Sequence, residues 1–217
     1  RVLTLVSSRS KKETRFLAVV GASGSGKSSL VRAGLVPALR WGEKSVDWYF
    51  HILTPTTHPL ESLATSLTLE NPSITSTAIL MDDLARNERA LHLFAKRKLP
   101  PERNTHLLLV IDQFEETFAL CRSEDERASF IGNLLTAASE ADGPVIVVVT
   151  LRADFYAHCA TYVQLREALA GNQEYIGAMS KDELRRAIEE PAGRGNWEIE
   201  PGLVDVLLRD IGQEPGA

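Results

Sequence analysis

Residues Gly21 to Leu30, GASGSGKSSL, concentrate glycine, serine and a single lysine, and Gly21, Gly26, Lys27 and Ser28 fit the spacing G-x-x-x-x-G-K-[ST]. Such a loop can cradle phosphate. Glycines let successive backbone N–H groups curl around anionic oxygens, and a helix that begins at the lysine adds its partial positive charge. On this reading Gly21, Ala22, Ser23, Gly24, Ser25, Gly26, Lys27, Ser28 and Ser29 form the phosphate loop. Lys27 reaches the β- and γ-phosphates and the Ser28 hydroxyl ligates Mg²⁺. A flexible linker has a similar composition, but linkers are not bounded by an apolar strand and an amphipathic helix.

A metal at such a loop needs a second, acidic ligand. The run LLLVIDQFEE ends an apolar stretch in Asp112, with Glu115 and Glu116 following. Asp112 is the candidate metal ligand, together with Ser28, and one of Glu115 and Glu116 is the candidate that orients an attacking water. Each has an alternative. Asp112 with Glu115 three residues on also reads as a helix N-cap and its capping-box partner, and the two glutamates also read as solvated helix charge. In VVVTLRADF, Arg152 stands just past an apolar run, at the edge where ligands of open α/β sheets bind. It reads either as a contact to the γ-phosphate that separates ATP from ADP, or as a surface charge paired with Asp154. The catalytic candidates are therefore Lys27, Asp112, Glu115, Glu116 and Arg152.

These residues need a scaffold, and the apolar pattern supplies one. Strands are predicted at Phe16–Val20, Asp47–Leu53, Leu107–Ile111 and Val145–Leu151, with a weaker one at Tyr175–Met179. Helical patterns lie between them: Ser28–Arg40, Pro59–Leu69, about Ala78–Lys98, Phe114–Leu120, Glu124–Glu140 and Tyr162–Ala170. Val31, Leu35, Ala38 and Leu39 share one face of the first helix, where Pro37 should kink or end it. Strands apolar along their whole length, alternating with helices, predict a parallel sheet covered on both faces. After Met179 only helices follow. Ser180 with Glu183 forms a capping box opening KDELRRAIEE, Pro191 is expected to end that helix, and EPGLVDVLLRDIG makes another. The expected division is a nucleotide-binding α/β domain over 1–179 and the start of a helical lid domain over 180–217.

Composition bounds the rest. The chain of 217 residues is 44% hydrophobic, enough for a proper core, and its net charge of −5 does not suggest direct nucleic-acid or membrane-surface binding. Cys121 and Cys159 show no metal-type spacing and read as reduced thiols of a cytoplasmic protein, and the five histidines show no ligand spacing. No apolar run approaches a membrane span of roughly 18 residues. Opening on Arg1 and stopping on GQEPGA just after a helical pattern, the chain reads as a piece cut from a longer protein.

FLAVVGASGSGKSSLVRAGLVPAL, LLLVIDQFEETF, VVVTLRADFYAHCA and KDELRRAIEEPA together resemble the bacterial STAND-class NTPase module, in the variety often joined to WD-repeat propellers. Its NACHT and NB-ARC relatives carry an acidic residue three positions after the Walker B aspartate, as Glu115 follows Asp112 here, and Thr150-Leu151-Arg152 is similar to their T-S-R sensor motif except at the middle position. The resemblance implies an α/β P-loop NTPase fold of strand order 5-1-4-3-2, flanked by helices, with the Arg152 strand between the other two motif strands. It implies ATP and Mg²⁺ as cofactors and slow hydrolysis in a switch. It further implies covalently linked sensor and effector domains, possible ATP-dependent homo-oligomerisation, and a lid proline near or beyond the terminal EPGA. A small-molecule kinase using the same loop is the alternative function, with Arg185, Arg186 and Arg194 as its nearest lid candidates. A nucleotide-holding scaffold is disfavoured by Lys27, Asp112 and the two glutamates. An ABC-type ATPase lacks its S-G-G-Q signature here, and a Ras-like GTPase its N-K-x-D motif.

Overall fold

In a computed structural model of the chain, the described residues are 15–42, 46–70, 73–100 and 104–211. The terminal EPGA, where the lid proline is expected, lies outside them. Five strands form one parallel sheet: β1 (Phe16–Gly21), β2 (Asp47–Leu53), β3 (Thr105–Ile111), β4 (Val145–Arg152) and β5 (Gln173–Ile176). Their order is β2-β3-β4-β1-β5, the expected order read from the other edge. The short last strand begins two residues earlier than its apolar pattern suggests, because Ala18 to Gly21 of β1 pair with Gln173 to Ile176.

Alternation along the central strands explains why they are apolar throughout. Ala18, Val20, Leu107, Leu109, Ile111, Val147 and Val149 enter one core, and Leu17, Val19, Leu108, Val110, Ile146 and Val148 enter the other. The second core is roofed by Val31, Leu35, Val36 and Leu39 of the helical segment after the loop. That segment runs as α1 (Lys27–Ser29), a π-helical stretch (Leu30–Leu35) and α2 (Val36–Arg40). Pro37 neither ends nor breaks it. Val36 N–H reaches back to the Val31 carbonyl, so the wider turn just before Pro37 absorbs the proline's missing donor and its ring.

The other face carries α3 (Pro59–Thr68), α4 (Ile74–Arg86), α5 (Ala90–Lys98), α6 (Glu116–Ala119), α7 (Glu124–Ser139), α8 (Tyr156–Cys159) and α9 (Val163–Gly171). The single helix expected over 78–98 is two. Asn87 is extended, at φ −143° and ψ 113°, and its side-chain oxygen accepts the Arg89 N–H at 2.9 Å, so a local turn replaces the ladder. Last come α10 (Lys181–Arg194) and α11 (Leu203–Ile211), which pack on each other. The Ser180–Glu183 capping box is present. Pro191, expected to end this helix, lies inside it. The carbonyl deprived of a partner belongs to Ala187, which is exposed and can be hydrated. Both cysteines are free and buried, and burial pushes the Cys159 thiol up to about 12, which leaves it inert. Among the described residues no helix is long and apolar enough to cross a membrane.

Candidate functional site

The loop from Gly21 to Ser29 leaves the end of β1 at the carboxyl edge of the sheet, where Gly21 stands opposite Arg152 of β4 and Ile176 of β5. Gly21 is required by close approach: a Cβ there would lie 2.4 Å from the Ile176 carbonyl oxygen. Gly24 and Gly26 are required by conformation, with φ of 75° and 85°. A Cβ on Gly24 would meet nothing within 4 Å, so that side of the loop is open. Ala22, Ser23 and Ser29 are exposed. Ser25 is buried, and its hydroxyl has no hydrogen-bond partner.

Lys27 is buried at the start of α1, and its ammonium donates to the loop's own carbonyls, Gly21 O at 3.1 Å and Ala22 O at 2.5 Å. Burial pushes its pKa down. Glu115, Asp112 and Asp154 pull it back up, while Arg152 adds to the lowering.

The acidic side is built by β3 and β4. Asp112, 4% exposed, follows β3, and its backbone N–H donates to Leu53 O of β2 at 2.8 Å. Its Oδ1 accepts from Ser28 Oγ and from Thr150 Oγ1, each at 2.7 Å, and its Oδ2 accepts from Arg32 Nε at 2.7 Å. Burial raises the Asp112 pKa, but the three donors outweigh it and hold the carboxyl below its ordinary range. Asp112 caps no helix. α6 starts at Glu116 with Glu115 in the cap position, because Gln113 adopts φ 56° and Phe114 N–H turns back to Thr150 O at 2.9 Å.

The two glutamates have different surroundings. Glu115 is buried and accepts the Arg152 backbone N–H at 3.2 Å, whereas Glu116 is half-buried on the first turn of α6. The Arg152 guanidinium pairs with Asp154 through Nε–Oδ1 at 3.1 Å and Nη2–Oδ2 at 2.7 Å and lies over the Phe155 ring. This is the salt bridge that its sequence alternative describes, formed at the expected edge of the sheet.

One carboxylate and one hydroxyl are hard oxygen donors of the kind that suit Mg²⁺, which keeps several waters and takes few protein ligands. The fit rests on two features of the loop, the buried Ser25 hydroxyl without a partner and an open flank at the left-handed Gly24. Among the described residues no group of three or more His, Cys, Asp or Glu that could hold a metal ion comes together. Sequence reasoning missed Arg32 altogether and met Thr150 only through the resemblance. Arg32 stands four residues after Ser28 on the same helical segment, a spacing that places the two side chains together. That spacing was a readable signal.

A glycine loop on β1 and an acid-tipped β3, separated by β4 in a sheet of order 2-3-4-1-5, is the layout of a P-loop NTPase. Residues 1–217 match the family described as Novel STAND NTPase 1, and the chain belongs to it. No curated protein matches the sequence. Solved structures share the fold at low identity. The Aeropyrum pernix ORC2 protein in ADPNP–ADP complexes is 14% identical with a TM-score of 0.58, over 89% of this chain and 49% of that one. The Drosophila ORC bound to DNA is 15% identical with a TM-score of 0.52, over 89% and 45%. The replication initiator DnaA bound to AMPPCP and single-stranded DNA is 13% identical with a TM-score of 0.50, over 95% and 54%. The chain thus spans about half the length of these structures.

Proposed function

We propose that this chain is the ATP-binding, slowly hydrolysing module of a multidomain signal-transduction ATPase and works as a nucleotide-dependent switch. The observation that carries the reading is the 2.7 Å bond between Ser28 Oγ and Asp112 Oδ1. It joins the loop hydroxyl to the acidic strand tip, the two groups that would hold Mg²⁺ against a nucleotide. When bound, Mg²⁺ supplies charge neutralisation for the phosphates. Lys27, now on loop carbonyls, would exchange them for phosphate oxygens, and the loop N–H groups would hold the remainder. Of the two glutamates, Glu115 is the better candidate to orient water, since it is buried and its charge reaches Lys27. Arg152 would leave Asp154 to meet a γ-phosphate.

The family membership and the solved neighbours, described with ADP, ADPNP or AMPPCP, support nucleotide binding here. The Met179 methyl lies against the loop, 3.4 Å from where a Gly26 Cβ would stand. This supports reading residues 180–217 as the start of a lid that responds to the nucleotide, with effector and sensor domains and ATP-dependent assembly beyond it. The test compares dissociation constants for ATP analogues and ADP in wild type, Lys27→Ala and Arg152→Ala, with a thermal melt beside each. Charged hydrogen bonds of about 1.5–3 kcal/mol correspond to about 10- to 150-fold in affinity. Lys27→Ala should lose both nucleotides by such a factor while staying folded. Arg152→Ala should lose only the ATP analogue. Unchanged affinity in folded Lys27→Ala would overturn the phosphate cradle, and a parallel loss of both nucleotides in Arg152→Ala would overturn the switch contact.

A further inference from the structure

Arg32 has no role in the reading above, yet it holds one of the two oxygens of the acid at its centre. Its Nε lies 2.7 Å from Asp112 Oδ2. The two partners are unequal. The Asp112 side chain is 5% exposed and fixed on its other oxygen by Ser28 and Thr150, while the Arg32 side chain is 49% exposed on the π-helical stretch. One member of the pair is therefore locked and the other is free to swing into water at little desolvation cost. A divalent cation ligated by Asp112 would face this guanidinium across a single carboxylate, and like charges at such a distance repel, the more so because the carboxylate between them is shielded from water.

We infer that Arg32 is a resident counter-ion that competes with Mg²⁺ for Asp112, so that metal–nucleotide binding displaces it and its strength sets the metal affinity of the site. This rests on the reading of the loop as a Mg²⁺–nucleotide site. Arginine suits the task. It stays charged at every physiological pH, so the competition does not switch off, and its weakly hydrated planar head fits a carboxylate better than an ammonium does.

The probe is Mn²⁺, titrated by electron paramagnetic resonance against the intact protein with ADP present, in wild type, Arg32→Gln and Arg32→Lys. A half-exposed pair of roughly 1 kcal/mol predicts Mn²⁺ binding about 5-fold tighter in Arg32→Gln and less than that in Arg32→Lys. Melting supplies a second readout. Arg32→Gln should melt below wild type in EDTA without nucleotide, and the gap should close with saturating Mg²⁺ and ADP, since the bond is already broken there. Equal Mn²⁺ affinity in the folded variants, or a melting gap of the same size in both conditions, would make Arg32 an ordinary structural ion pair and overturn the inference. Should Arg32→Gln not fold, unchanged Mn²⁺ affinity in Arg32→Lys overturns it alone. Wild-type protein that binds neither ADP nor Mn²⁺ with ADP present would overturn the site reading itself, and this inference with it.

Discussion

Asp112 and Glu190 are both carboxylates held below their ordinary pKa, Asp112 by the Thr150 and Ser28 hydroxyls and Arg32, Glu190 by arginine alone, and they stand in different worlds. Asp112, buried at the sheet edge, is met by Thr150, Ser28 and Arg32. Glu190, on a helix with no buried side chain, is met by Arg186 one turn away and by Arg194 one turn on, all in water. The same contrast holds for whole regions. The central strands bury residue after residue at 0% exposure, whereas α10 and α11 together bury only Val204 and Leu208 and are joined by the Arg185–Asp205 pair. Burial decides what a contact contributes. A polar bond sealed from water resists opening, while an exposed ion pair trades one hydrated state for another. The phosphate-type loop and its acid sit on the sealed region and the helical pair on the open one, an arrangement that would suit a fixed binding site beside a movable segment.

The largest test deletes core. Leu109 lies in the middle of β3 at 0% exposure, and Leu109→Ala should cost about 3–4 kcal/mol of unfolding free energy, the transfer loss plus a cavity that a close-packed sheet cannot collapse. Leu207→Ala on α11, at 37% exposure, should cost less than about 1 kcal/mol. Urea unfolding of both variants measures the difference. Equal costs would erase the contrast between the regions.

Acid titration comes next. A carboxyl whose folded pKa is depressed contributes stability that is present above its unfolded value near 4 and is lost as pH falls through the lower folded value. Asp112→Asn should therefore destabilise by about 1–2 kcal/mol at pH 7, since it also presents an amide donor to Arg32, and the gap to wild type should shrink below about pH 4. Glu190→Gln should change the acid limb little, because its partners are solvated. Denaturant midpoints from pH 7 to pH 3 read both. A wild-type curve with no more acid loss than Asp112→Asn would mean that Asp112 is not held low.

The sequence made the sealed region readable and the open one less so, for one physical reason. Runs such as LLLVI and VIVVVTL admit a single solution, a central strand covered on both faces, and the loop and acid at their tips follow from it. Where the pattern was weak, local chemistry won. Asn87 broke a helical period by accepting the Arg89 backbone N–H on its side chain, Pro191 sat inside an exposed helix whose stranded carbonyl water can serve, and a π-helical turn took up Pro37. Arg32 escaped notice because its partner is 80 positions away: its four-residue spacing from Ser28 sets the two side chains side by side but does not point to the acid across the sheet edge that they share.

The smallest expected effect tests whether the helical pair opens by itself. Ser180 accepts the Glu183 N–H at 3.3 Å and its own N–H is capped by the Glu183 carboxylate at 2.8 Å, so Ser180→Ala removes one half of a reciprocal cap. The orphaned Glu183 N–H is exposed and finds water, which keeps the loss small, about fivefold in the opening equilibrium of the first turn. Since α10 buries no side chain, that opening need not pass through the core. Amide hydrogen exchange in α10 should therefore accelerate about fivefold while exchange in β3 and β4, and the urea midpoint of the sheet, stay where they are. If the strand amides accelerate by the same factor, the helical pair and the sheet open as one unit, and the helical pair would then not move without opening the sheet.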